Sequence, residues 1–123
     1  MVKIDHALLE QALCNLLLNA VSWSPAGSEI IVTGRVENDR FLLSVEDQGK
    51  GINESDLGRI FEAFYRGTDA RPGGTGLGLA IVEGFVHAHG GTVRAVNRTP
   101  RGAEFIATIP VETFAGDLLE EQA

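Results

Sequence analysis

Three short stretches of this 123-residue chain combine polar side chains and glycines at spacings that could do chemistry. Asn15 and Asn19 lie four residues apart in a leucine-rich run, and Asp47 begins the sequence Asp-Gln-Gly-Lys-Gly. The third stretch, Gly73-Gly-Thr-Gly-Leu-Gly-Leu79, is rich in glycine. Amide oxygens suit Mg²⁺, a carboxylate accepts a hydrogen bond from an amine, and glycine lets backbone N–H groups approach phosphate. Their combination predicts a site for ATP.

Each stretch has a simpler explanation when it is considered alone. Asp before glycine often begins a turn, a glycine-rich stretch can be a flexible linker, and two amides on one helix face can brace neighbouring loops. The chain has no Walker Gly-x-x-x-x-Gly-Lys-Ser/Thr pattern and no Gly-x-Gly-x-x-Gly after a strand in a βαβ unit. Neither the common phosphate-loop folds nor a dinucleotide fold is therefore favoured.

Hydrophobic periodicity predicts the elements that must position these residues. Helical spacing covers residues 5–22, about 54–61 and 77–89, and β-rich runs cover 30–36, 41–45, 92–97 and 103–109. Asn38-Asp39 joins the first two strands as a hairpin, and residues 65–75 form a loop with many glycines. This order predicts a largely antiparallel sheet covered on one face by helices.

Composition predicts one compact domain over residues 1–112 and an acidic tail over residues 113–123. The net charge of −7 argues against a nucleic-acid partner, because phosphate backbones are met by clustered Lys and Arg. The single Cys14 lies in an apolar helical run and is predicted to be a buried, reduced thiol. No apolar run approaches the roughly 20 residues that span a bilayer, so we expect a soluble fragment without direct membrane contact.

Four segments, in chain order, resemble the boxes of the catalytic ATP-binding domain of sensor histidine kinases. Asn15–Asn19 resembles the N box, Asp47–Gly51 the first glycine box, Phe61–Phe64 the phenylalanine box and Gly74–Leu79 the second glycine box. The likeness covers about residues 4–110. It extends to the wider group that holds the gyrase B subunit, heat-shock chaperone ATPases and mismatch-repair ATPases.

Within that family the chain looks most like the Kdp-type potassium sensor kinases, through residues 19–25, 64–67 and 90–98. The resemblance implies a Bergerat fold, an α/β (α+β) two-layer sandwich with a mixed, largely antiparallel sheet. It also implies that ATP lies between the helices and a mobile lid at about residues 65–75, with Mg²⁺ held by Asn19. The implied ATP-binding residues are Asn15, Asn19, Ser22, Trp23, Asp47, Gly49, Gly51, Ile52, Phe61, Gly74, Thr75, Gly76, Leu77, Gly78 and Thr108.

Residue chemistry favours a kinase over an ATPase. Hydrolysing members of the group carry a glutamate general base where this chain has Asn15, and an amide cannot take a proton from water. Arg66 and Arg71 are the candidates to stabilise the transferred phosphoryl group. The family usually has lysine where this chain has Ser22, so a degenerate nucleotide-binding module stays an alternative, as does a serine kinase of the anti-sigma-factor type.

The resemblance also implies the partners of the domain. The phosphate acceptor would be a histidine on a dimerisation domain of the same sensor, because this chain has no His-Glu-x-x-x-Pro-like segment. A response regulator would then receive the phosphoryl group. We expect the domain to be the cytoplasmic portion of a membrane-anchored sensor.

Overall fold

The computed structural model describes residues 6–65 and 77–110. The elements in these ranges are α1 (His6–Trp23), β1 (Ile31–Glu37), β2 (Arg40–Glu46), α2 (Glu54–Leu57), α3 (Gly78–Ala88), β3 (Thr92–Asn97) and β4 (Ala103–Pro110). Among the helices described, none is long and apolar enough to cross a membrane. The predicted lid, apart from its first residue, and the predicted acidic tail lie outside the described residues.

The described strands form one sheet in the order β1-β2-β4-β3, and every neighbouring pair is antiparallel. Asn38 and Asp39 connect β1 to β2 with φ angles of 51° and 61°. Two positive φ angles suit a type I′ turn, whose twist matches that of antiparallel strands, so the predicted hairpin is confirmed. β4 comes last of these strands along the chain, yet it lies in the middle of the sheet.

The helices α1 and α3 pack together over one face of this sheet and form a two-layer α/β domain. Burial alternates along β4, so that every second side chain faces the helices. Burying one large apolar side chain contributes about 1.5–3 kcal/mol, which makes this face the main source of stability. The buried hydrophobic residues are Ala12, Leu16, Ala20, Leu43, Val45, Val82, Phe85, Val86, Ala103, Phe105, Ala107 and Ile109.

The helix predicted at about residues 54–61 is shorter than expected, because α2 ends at Leu57. Gly58 follows as the C-terminal cap, and glycine is a poor helix former. Beyond it the chain turns repeatedly, with the N–H of Arg59 donating to the carbonyl of Asp56 at 2.8 Å and that of Glu62 to Arg59 at 2.9 Å.

The prediction of a buried Cys14 is wrong, since the thiol is exposed. The buried line of α1 consists of Ala12, Leu16 and Ala20. Cys14 is two residues from both Ala12 and Leu16, which places it about 200° around the helix from each. Leu18 is also exposed, at 67%. Apolar residues surround most of α1, so their spacing does not single out the side that packs on the sheet.

Candidate functional site

Asp47 directly follows β2 and is buried, with only 1% of its surface exposed. Its carboxylate oxygen Oδ1 accepts the backbone N–H of Gly49 at 2.9 Å and that of Ala103 at 3.1 Å. Its own N–H donates to the carbonyl of Ala103 at 2.9 Å. Within the described residues no hydrogen bond ends on Oδ2. One carboxylate oxygen is therefore fixed by the protein, and the other can accept a donor from a ligand.

The C-terminal end of α1 lies directly against the loop that begins with Asp47. A Cβ atom placed on Gly49 would lie 2.6 Å from the carbonyl oxygen of Trp23, so any other residue would push the helix end away. The Lys50 Nζ lies 5.8 Å from the centre of the Trp23 ring. The hydroxyl of Ser22 donates to the backbone carbonyl of Asn19 at 2.8 Å. The contacts of Trp23 bring the end of α1, four residues beyond the N box, to the first glycine box.

Asn15 lies beside the first turn of α3. A Cβ placed on Gly78, the first residue of that helix, would lie 4.0 Å from the Cβ of Asn15. The Asn15 Nδ2 atom is buried and has no hydrogen-bond partner within the described ranges. An unsatisfied buried donor costs about 1–3 kcal/mol, and a helix N-terminus attracts anions. An anionic oxygen bound at this point would satisfy both groups.

Asn19 lies one helical turn after Asn15 on the same face of α1. Its side chain is half-buried and makes no hydrogen bond to another described residue. Within residues 6–65 and 77–110 there is no group of three or more His, Cys, Asp or Glu side chains that could hold a metal. A single amide oxygen fits Mg²⁺, which keeps several waters and is commonly bound together with phosphate oxygens.

Two aromatic residues, Phe61 in the phenylalanine box and Tyr65 directly after it, anchor this part of the chain. The Phe61 ring packs edge-on against Phe105, with centroids 6.3 Å apart. The Tyr65 hydroxyl donates to the carboxylate of Asp56, which raises the pKa of Tyr65. Arg59 lies over the Tyr65 ring, 4.4 Å from its centroid. These contacts fix the chain at the point where it enters residues 66–76.

Several site residues were not predicted from the sequence, and they lie within residues 97–103, from the last residue of β3 to the first residue of β4. Ala103 is one, because its N–H helps to hold Asp47. Gly102 is another: it has a φ of 97°, and a Cβ there would collide with the carbonyl oxygen of Asp47. Asn97, Arg98 and Arg101 also contact the Asp47 loop. The only sequence signal was Gly102, a glycine directly before the predicted strand 103–109.

Some residues predicted to bind ATP do not lie near Asp47 and the covering helix α1, or lie outside the described residues. Thr108 lies on β4 between buried Ala107 and Ile109, so its side chain is on the sheet face turned away from the helices. The structure therefore does not support Thr108 as an ATP contact. The following predicted residues lie outside the described ranges: Arg66, Arg71, Gly74, Thr75 and Gly76.

The fold and this site together define an ATPase-type α/β sandwich, with a buried carboxylate at a strand end and two amides on the covering helix. The chain belongs to the histidine kinase-, DNA gyrase B- and HSP90-like ATPase family, whose sequence profile matches residues 4–113.

Sensor histidine kinases are prominent among the relatives. The chain is 40% identical over 124 residues to the sensor-like histidine kinase SenX3 of Mycobacterium tuberculosis, covering 97% of this chain and 30% of SenX3. It is 40% identical over 114 residues to the sensor protein KdpD of Escherichia coli, covering 92% of this chain and 13% of KdpD. The chain thus spans less than a third of either relative. Because the two identities are equal, the comparison does not single out the Kdp type.

Solved structures give the same result. The mycobacterial sensor histidine kinase MprB superposes with a TM-score of 0.81 at 36% identity, covering 89% of this chain and 76% of that one. Full-length ShkA in complex with AMPPNP superposes with a TM-score of 0.74 at 35% identity, covering 89% and 23%. The predicted catalytic ATP-binding domain of a sensor histidine kinase is confirmed at the level of family and fold.

Proposed function

We propose that this domain binds Mg-ATP and transfers the γ-phosphoryl group to a histidine on a dimerisation domain of the same sensor protein. The observation that carries this proposal is the buried Asp47 carboxylate, held at Oδ1 by two backbone N–H groups and left with Oδ2 for a ligand. The ShkA structure, described as a complex with AMPPNP, supports nucleotide binding by this kind of domain.

In the proposed complex, Asp47 recognises the adenine base of ATP. Its Oδ2 accepts a hydrogen bond from the exocyclic amine of adenine, which is the one donor on that edge of the ring. Guanine has the acceptor O6 at the same place, which would face the carboxylate with no proton between them. Selectivity for adenine therefore follows from charge and hydrogen-bond polarity, and Trp23 at the end of α1 offers a flat surface for stacking.

The triphosphate would extend from Asp47 along α1 towards the N-terminus of α3. The Nδ2 of Asn15, which has no hydrogen-bond partner among residues 6–65 and 77–110, would donate to a phosphate oxygen, and Lys50 adds a positive charge near Trp23. Asn19 would hold Mg²⁺ through its amide oxygen, and the ion when bound reduces the negative charge that builds up on the phosphates. Such local donors are needed because the chain as a whole carries a charge of −7.

Phosphoryl transfer needs little from the protein beyond position and charge. A nitrogen of the acceptor imidazole attacks the γ-phosphorus, the bond to the β,γ-bridging oxygen breaks, and ADP leaves with that oxygen. Arg66 and Arg71 are proposed to stabilise the transferred group. Asn15 cannot serve as a general base, so water is not activated and ATP is conserved for the histidine.

The partners follow from the same proposal. The acceptor histidine lies on a dimerisation domain, a response regulator takes the phosphoryl group from it, and the domain works in the cytoplasm, where ATP is present. Stimulus specificity resides elsewhere in the full sensor.

The proposal is tested by calorimetric titration with ATP and GTP in the presence of Mg²⁺, followed by incubation with a histidine-kinase dimerisation domain and labelled ATP. We expect binding of ATP in preference to GTP and an acid-labile, base-stable phosphohistidine on the added domain. Binding of ATP without transfer would favour the degenerate module that Ser22 suggests. Acid-stable phosphoserine on a protein partner would favour the anti-sigma-factor type of kinase.

A further inference from the structure

The segment from Asn97 to Gly102, which joins β3 to β4, contacts the main chain of the Asp47–Ile52 loop through its side chains. Asn97 engages both backbone groups of Ile52: its Oδ1 accepts the N–H at 2.7 Å, and its Nδ2 donates to the carbonyl at 2.8 Å. A single amide side chain thereby replaces the two hydrogen bonds that a neighbouring strand would supply.

Arg98 holds the other end of the same loop. Its Nη1 donates to the carbonyl of Asp47 at 2.7 Å, and its Nε lies 3.2 Å from the carboxylate of Glu46. The side chains of Arg98 and Glu46 are 24% and 26% exposed, so this ion pair is only partly screened by solvent. The guanidinium fork can bridge two consecutive residues at the end of β2, which a single ammonium group cannot do in the same way.

Two further contacts tighten the arrangement. Arg101 donates from Nε to the carbonyl of Gly49 at 3.2 Å. Gly51 has a φ of 88°, and a Cβ there would lie 2.8 Å from the Asn97 Oδ1. The loop has left the sheet after Glu46, so its backbone groups need partners from elsewhere. The 97–102 segment provides them at three points along the loop.

We propose that Asn97 and Arg98 are positioning residues for recognition of the nucleotide base. They fix the Asp47–Ile52 loop so that Oδ1 of Asp47 stays on its two backbone donors and Oδ2 faces the adenine amine. This inference rests on the proposed ATP site and adds a determinant of its specificity. Neither residue touches the nucleotide in this scheme, since both act through the main chain of the loop.

The decisive variant is Asn97→Asp, which keeps the shape of the side chain. It keeps an acceptor for the N–H of Ile52 but loses the donor, and it places a carboxylate oxygen against the carbonyl of Ile52. We expect ATP affinity to fall about tenfold, the usual effect of leaving one polar partner unmatched, while GTP affinity changes less than about twofold. Both affinities are measured by competition against a fluorescent ATP analogue, at a temperature where circular dichroism shows each variant folded.

Matched arginine variants extend the test. Arg98→Ala should lower the preference for ATP over GTP in the same direction, and Arg98→Lys should recover part of it, because a lysine can restore the charge but not both contacts. Arg94→Ala is the control: Arg94 is exposed on β3 and faces away from the helices. It should leave the preference unchanged.

The outcomes separate this inference from the function on which it rests. A parent protein that shows no preference for ATP overturns the proposed function itself. A parent that prefers ATP, with Asn97 and Arg98 variants that keep the same ratio, overturns the positioning role alone. Equal losses for ATP and GTP also overturn it, since they indicate a purely structural contribution. Should Asn97→Asp fail to fold, Arg98→Lys decides by the same ratio.

Discussion

Lys50 lies over the indole ring of Trp23, with Nζ 5.8 Å from the ring centroid. The two residues come from different elements, since Trp23 ends α1 and Lys50 belongs to the loop after β2. Ser22 stands where the family usually has a lysine, and Lys50 brings a positive charge to the neighbouring residue. A cation in contact with an aromatic face is stabilised by roughly 0.5–1 kcal/mol at an exposed site.

The first prediction concerns this cation. Lys50→Met keeps the long apolar stem but removes the charge, and it should weaken ATP binding about three- to fivefold at low ionic strength, with the difference shrinking as salt is added. Trp23 is the only tryptophan, so its fluorescence during ATP titration reports the site directly. Arg94→Met is the matched control. Equal binding by Lys50→Met and the parent in low salt would contradict the role given to Lys50.

A second prediction concerns Asp47 itself. In Asp47→Asn, either the NH₂ group turns towards the two backbone N–H donors, or it turns towards the adenine amine; both arrangements put donor against donor. Selective ATP binding should be lost, with the missing charge-assisted bond costing roughly 1.5–3 kcal/mol. Calorimetric titration of parent and variant with ATP measures this loss of affinity. An Asp47→Asn protein that binds ATP as tightly as the parent would disprove the site assignment.

The third prediction compares two glycines. Gly102→Ala should destabilise the domain by at least about 1–2 kcal/mol, because an L-residue is strained at its φ of 97° and the new Cβ meets the carbonyl of Asp47. Gly84 lies exposed within α3, with nothing within 4 Å of an added Cβ. Gly84→Ala should therefore stabilise by about 0.5–1 kcal/mol. Urea unfolding compares them, and a stable Gly102→Ala protein would be the contrary result.

The fourth prediction concerns alkaline pH. The hydrogen bond to the Asp56 carboxylate, followed by burial, raises the pKa of Tyr65 above 10.0. A raised pKa in the folded state means that this contribution to stability is complete below pH 10 and is lost as the pH rises from 10.0 through the folded-state pKa.

Tyr65 is the only tyrosine, so absorbance of tyrosinate at about 295 nm follows it alone. The native protein should titrate at higher pH than protein unfolded in urea, and Asp56→Asn should bring the native pKa back towards 10.0. Tyr65→Phe has no phenol to ionise, so its free energy of unfolding should not show the loss that the parent shows as the pH rises above 10.0. Identical native and unfolded titrations would exclude the hydrogen bond as a stabilising contact in solution.

The elements of the fold could be predicted from local patterns to a large extent. Alternation along residues 103–109 and 92–97, and the Asn38-Asp39 turn, are local properties, and the structure has the corresponding strands and hairpin. The side of α1 that packs on the sheet was harder to predict, because leucines occur all round the helix. Only its packing shows that Cys14 faces solvent. Similarly, Gly58 ends α2 four residues earlier than periodicity suggests.

In the candidate site, too, some residues could be predicted from local sequence and others depend on contacts made in the folded domain. Asp47, Gly49 and Asn15 could be chosen by residue type and spacing, because each offers a chemical group that ATP needs. Asn97 and Arg98 could not, since their importance depends on contacts with residues about 45 and 51 positions away in sequence. The face occupied by Thr108, by contrast, could have been predicted, because the alternation of Phe105, Ala107 and Ile109 along β4 puts Thr108 on the opposite side of the sheet.

The central position of β4 has a consequence for how the protein is made. A ribosome delivers β2 and Asp47 first, but the strand that supplies the N–H of Ala103 emerges more than 50 residues later. Until then the Asp47 carboxylate has the N–H of Gly49 as a partner but lacks that of Ala103. We therefore expect a chain that ends before β4 to bind nucleotide poorly, because the strand that helps to orient Asp47 is missing.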